Sequence, residues 1–137
     1  MPSAIVLVCV DPRLNHELLR IQIGQHLSRL GLHADSVYLV NDVGGNLAPN
    51  FDHALELLVR QGNPPVFAGI LHHDDCLADQ AGLRTPLPVT VVELTNHLSA
   101  QGITCPVHTG QIQTENNAIV WDQSPEPQYR PYQAFSS

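Results

Sequence analysis

The chain has 137 residues, 43% of them hydrophobic and 14% charged, with a formal net charge of −7. That length suits one domain, the composition is too apolar for disorder, and no apolar run approaches the roughly 18 residues of a transmembrane helix. All six basic residues are arginine and there is no lysine, which argues against partners bound through nucleic-acid phosphates or an anionic membrane surface.

Residues 4–10 (AIVLVCV) form an unbroken apolar, β-branched run, the signature of a strand buried on both faces in a parallel sheet. Residues 14–30 carry apolar side chains at near-helical spacing and stop at Gly31. Residues 36–43 predict a second strand, followed by a Gly44-Gly45-Asn46 turn and a helix over 50–61 that ends at Gly62. Residues 65–71 predict a third strand, 74–80 a short helix, 84–88 a proline-punctuated loop and 89–100 a further helix before Gly102. Short strands are expected at 103–109, 111–115 and 118–122, with turns at Gly110 and Asn116-Asn117. Residues 124–137 hold three prolines and no period, and are expected to form an extended tail behind a single domain spanning 1–123.

Strands alternating with helices predict an α/β, three-layer αβα fold with a mostly parallel central sheet. The expected strand order is 2-1-3-4, with a short C-terminal antiparallel hairpin. Asp11-Pro12-Arg13 follows the first strand where a glycine-rich dinucleotide or phosphate loop would stand, so those readings lose their support. Three cysteines, Cys9, Cys76 and Cys105, are too few and too scattered for a disulfide scaffold. The N-terminus lacks a basic segment, so no signal peptide is expected and the expected compartment is the reducing cytoplasm.

Ligands of open α/β sheets bind beyond the carboxyl ends of the strands, where strand order switches direction. Cys9 lies at that end of strand one, and His72, His73 and Cys76 just past that end of strand three. In a 2-1-3 order these residues converge. Two thiolates and an imidazole are donors that zinc selects, and three protein ligands leave a fourth position for water. Asp11 and Arg13, two residues apart in an extended segment, project the same way at the same strand end.

Cys9-Val10-Asp11-Pro12-Arg13, followed by His73-Asp74-Asp75-Cys76, resembles the paired motifs of the beta-class carbonic anhydrases, in a short and divergent form. The likeness covers roughly residues 4–122. It implies a lyase that hydrates carbon dioxide reversibly to bicarbonate by a metal-bound hydroxide. Cys9, His73 and Cys76 would bind one zinc per chain, and Asp11 with Arg13 would form the acid–base dyad, with Asp11 also able to swing onto the metal. Asp42, Gly44, Gly45 and Asp75 are candidates to line the pocket, and Asp75 could also orient a ligand. A homodimer or higher homo-oligomer is implied. The chain starts at strand one, without the N-terminal helices that wrap a neighbouring subunit, so an incomplete version of the usual dimer is expected.

Asn41-Asp42-Val43-Gly44 stands where the family usually has Arg-Asn-Ala-Gly, and Leu77 replaces a glycine after the second cysteine. These departures keep two alternatives open: a zinc hydrolase of carbon disulfide or carbonyl sulfide, and a catalytically silent zinc-binding relative serving as an interaction module. Strand alternation points His72 away from the proposed metal. Cys105 before Pro106 and the remaining histidines read as packing or surface residues.

Overall fold

The computed structural model describes residues 1–47, 49 and 51–122; the expected tail at 124–137 lies outside the described residues. Strand β1 (Ser3–Cys9) is buried at all seven positions. Helix α1 (His16–Arg29) follows, its N-cap Asn15 side chain accepting from the Leu18 N–H. Then come β2 (Ser36–Asp42), a 3-10 turn (Val43–Gly45), α2 (Phe51–Arg60), β3 (Pro65–His73), the short α3 (Leu77–Gln80), α4 (Leu87–Ala100), β4 (Val107–Gln113) and β5 (Ala118–Trp121).

The five strands form one sheet in the order β2-β1-β3-β4-β5. The β1–β2, β1–β3 and β3–β4 pairs are parallel, and β4–β5 is antiparallel. The period-2 alternation of β1 explains the three layers. Ala4, Val6 and Val8 pack with Leu19, Ile23 and Leu27 of α1. Ile5 and Leu7 pack on the opposite side with Leu55 of α2 and Leu94 of α4.

Several boundaries differ from the sequence expectation; the short helix expected at 74–80 is confined to Leu77–Gln80, and the helix expected over 14–30 is His16–Arg29. In place of the two strands expected at 103–109 and 111–115 there is one, β4 over Val107–Gln113, with Gly110 inside it. No turn forms there, because a Cβ on Gly110 would stand 2.9 Å from the Val120 carbonyl oxygen and the glycine serves close strand approach instead. The C-terminal hairpin is therefore β4–β5. Helix α4 starts two residues early and takes in Pro88, whose missing N–H costs nothing in a first turn. Strand β3 runs on through His72 and His73, paired to Gln111 and Ile112 of β4.

Candidate metal centre

The sheet register builds the site. Val8 of β1 lies opposite Leu71 of β3, so Cys9 and the His72-His73 pair end their strands at one edge of the sheet. A tight turn then returns the chain, with Asp75 in the left-handed region at φ +52°, and delivers Cys76 to the same point. Cys9, His73 and Cys76 are all buried, and their ligand atoms lie within 4.8 Å of one another.

This trio could hold a metal ion, and the detail fits zinc. The Cys9 and Cys76 sulfurs are 3.9 Å apart. A tetrahedral ion with metal–sulfur bonds of about 2.3 Å separates two sulfurs by about 3.8 Å. The His73 Nδ1–H donates to the Asp74 carbonyl at 2.7 Å, which fixes the tautomer and leaves the lone pair on Nε2. Buried Nε2 has no hydrogen-bond partner among the described residues and faces Asp11 Oδ2 at 3.5 Å. Two acceptors facing each other in a buried place require a cation or a proton between them.

Asp11 is gripped by Arg13. The Arg13 backbone N–H and Nε donate to Oδ1 at 2.8 and 3.1 Å, and Nη2 donates to Oδ2 at 2.8 Å. Hydrogen bonding from Arg13, the largest influence, holds the Asp11 pKa down to about 2, so the carboxylate is ionised at neutral pH. Nη2 also reaches the Asp75 carbonyl at 3.2 Å, linking the pair to the ligand turn. A cavity of about 450 Å³ opens here, lined by Asp11, Pro12, Arg13, Asp75, Leu77 and Gln80.

Of the other pocket candidates, Asp42 pairs with Cys9 at the end of β2. Gly44, at φ +66°, donates its N–H to the Cys9 sulfur at 3.3 Å. Gly45 is packed so that a Cβ there would meet the His72 ring at 3.5 Å and the Leu71 carbonyl at 3.6 Å. Burial pushes the Cys9 thiol up. Burial also opposes ionisation of Cys76, but the Asp79 backbone N–H, the Arg84 guanidinium and Cys9 outweigh it and pull its pKa down. Cys76 is thus the more acidic thiol of the pair. His72 is buried on the Gly45 side, and desolvation drives its pKa down to about 4. Cys105 is half-buried among the core residues of the α2–α4 side, and burial raises its pKa to about 11.

Two contributors carry no signal in the sequence motifs. Asn117, buried in the β4–β5 turn, accepts from the Asn15 N–H at 2.8 Å and donates to the Arg13 carbonyl at 3.1 Å, fastening the dyad segment to the hairpin. An asparagine in the left-handed region, here at φ +60°, is the local hint. Arg84, from the loop between α3 and α4, brings a nearly buried guanidinium to the back of the thiol pair.

No family model and no curated protein sequence matches the chain. Solved structures do. The carbonic anhydrase from Streptococcus mutans superposes with a TM-score of 0.55 at 15% identity, over 86% of this chain and 80% of that one. The Coccomyxa beta-carbonic anhydrase in complex with acetazolamide gives 0.53 at 14% identity, over 88% and 71%. A carbonic anhydrase from Glaciozyma antarctica gives 0.52 at 17% identity, over 86% and 80%. The backbone therefore defines a class, the αβα fold of the beta-carbonic anhydrases. At 14–17% identity the likeness to these structures is one of fold. Among the described residues, no helix is long and apolar enough to cross a membrane.

Proposed function

We propose that the chain is a zinc enzyme of the beta-carbonic anhydrase type, binding one zinc through Cys9 Sγ, His73 Nε2 and Cys76 Sγ and reversibly hydrating carbon dioxide to bicarbonate. The observation that carries this reading is the meeting of three soft or borderline donors with an arginine-held carboxylate at one buried point. Bound zinc supplies Lewis acidity that makes water a nucleophile near neutral pH.

The protein's own residues do the rest. Ionised Asp11 accepts a hydrogen bond at Oδ2 and so orients the nucleophile toward the cavity. Arg13, by occupying both carboxylate oxygens, keeps Asp11 ionised and off the metal ligands. Leu77 and Pro12 give the cavity an apolar wall suited to a nonpolar gas. Asp42, Gly44, Gly45 and Asp75 complete the surroundings, with the Gly44 N–H steadying Cys9. Reduced thiols suit a cytoplasmic setting. A homodimer or larger assembly is supported by β2, an edge strand with five of its seven residues only half-buried.

Stopped-flow hydration of carbon dioxide by zinc-loaded protein tests the reading. Asp11→Asn should retain zinc and lose about 10²–10⁴-fold in rate. Unchanged turnover in that variant overturns the dyad. Turnover of carbon disulfide or carbonyl sulfide, without carbon dioxide hydration, assigns the hydrolase alternative. Stoichiometric zinc with neither activity assigns the silent one.

A further inference from the structure

Arg84 sits on a segment with no motif, yet its placement is heavily specified. The Asn46 side chain clamps both flanking residues: Nδ2 donates to the Leu83 carbonyl and Oδ1 accepts from the Thr85 N–H, each at 2.9 Å. This presses Arg84 onto the Gly44 turn so closely that a Cβ on Gly44 would stand 3.2 Å from the Arg84 Cβ. Gly44 is the residue whose N–H reaches the Cys9 sulfur. The glycine is needed there both for its positive φ and for this approach.

The guanidinium ends in an unusual place. Its side chain is only 13% exposed, and its carboxylate contact, Nη1 to Asp79, is a loose 3.7 Å. Nε and Nη2, the two donors on one side of the fork, are buried without a hydrogen-bond partner among the described residues. Arg13 uses the same two donors to grip Asp11. A buried guanidinium with half its fork unfilled is costly unless an acceptor is meant to be there. The group beside it is the Cys76 sulfur, a poor acceptor as a thiol and a strong one as the thiolate of a metal centre.

We propose that Arg84 is a positioning residue for the metal: its fork donates to the Cys76 thiolate when the ion is bound, and its charge offsets the second of two thiolates crowded into one site. This rests on the zinc reading above. Two thiolates and a neutral imidazole cancel the charge of a divalent ion only when it is bound; Arg84, itself loosely paired to Asp79, eases the crowding of the two thiolates around it. Cys9 receives the Gly44 N–H and Cys76 the Asp79 and Ala78 backbone N–H groups, and the guanidinium would add a charged donor to Cys76, held in place by Asn46 against Gly44.

The test uses cobalt(II) in place of zinc, read by the thiolate-to-cobalt charge-transfer band, together with zinc affinity from chelator competition. Arg84→Met keeps the aliphatic stem. It should weaken zinc binding about 10–100-fold and move the band to lower energy, because a sulfur relieved of its donors gives up charge more readily. Wild-type affinity and band position in Arg84→Met overturn the proposal while leaving the metal reading intact. Absence of any thiolate band in the unsubstituted protein overturns both. If far-UV circular dichroism shows Arg84→Met unfolded, Asn46→Ala decides. It keeps the guanidinium but releases the clamp, and should shift the band the same way by a smaller amount; an unshifted band sinks the proposal.

Discussion

Gly110 and Gly24 form a matched pair of opposite sign. Both can be changed to alanine, and both sit inside regular elements. At Gly110 the new Cβ would meet the Val120 carbonyl oxygen at 2.9 Å, Leu71 Cδ2 at 3.1 Å and Trp121 Cα at 3.2 Å. The leucine tip can rotate, but the other two contacts are backbone of the antiparallel neighbour. The hairpin must therefore move by a few tenths of an ångström, against bonds such as that from the Asp122 N–H to the Thr109 carbonyl. Overpacking of this kind costs about 1–3 kcal/mol. For a chain of this length each kilocalorie lowers Tm by roughly 3–4 °C, so Gly110→Ala should lose about 3–12 °C. At Gly24, in the middle of α1, a Cβ would meet nothing within 4 Å. Gly24→Ala should gain about 0.5–1 kcal/mol by restricting the unfolded chain and raise Tm by about 2–3 °C. Thermal and urea unfolding of the metal-free protein measures both. A Gly110→Ala variant as stable as its parent would refute the close strand approach and restore the turn that the sequence suggested.

Two further predictions concern the parts that brace the site. Asn117→Ala strips the Asn15 N–H of its acceptor and puts a poorly suited residue at φ +60°, so a loss of about 2–4 kcal/mol in urea unfolding is expected. Asn117→Gly should recover the backbone share of that loss, and equal stability of both variants with the parent would dismiss the bracing role. His26 stacks on Trp121 and meets His108 Nδ1 through Nε2 at 3.0 Å; burial first, then His108 and Arg29, drive its pKa down to about 4. Its folded pKa lies below the ordinary histidine value of about 6.5, so the unfolded chain takes up the proton more readily. The stability it contributes is complete above that value and is lost as pH falls from about 6.5 to 4. His26→Gln should flatten the decline of the urea midpoint across that window, and an unaltered decline would show that the stacked ring is not the source.

Much of the fold was legible because it rests on local pattern. The unbroken apolar run of β1 announces a strand covered on both faces, and the spacing of Leu19, Ile23 and Leu27 announces the buried stripe of α1. The three donors were legible for a related reason: Cys9 and His73 end adjacent strands, and the parallel register does the assembly. What escaped depends on distant partners. Gly110 reads as a turn because glycine marks both turns and close approaches, and only Val120 and Trp121 decide between them. Arg84 reads as an ordinary arginine in a proline-bounded loop, since its burial comes from Asn46 and Gly44, some forty residues earlier in the chain. Its one local hint is that it is a lone cation eight residues beyond Cys76 in a chain with few cations.

The two sulfurs are mounted very differently. Cys9 closes a strand whose every residue is buried, flanked on each side by another strand, so it can move only if the whole sheet does. Cys76 closes a three-residue turn with one left-handed member, followed by a helix of a single turn and a loop tied down by one amide. On the zinc reading, an arriving ion would meet one donor fixed by the sheet and one carried on a connecting segment. Capture and release of that ion would then be governed by the segment from Asp74 to Thr85, and substitutions in that stretch would retune how long it stays without disturbing the scaffold beneath it.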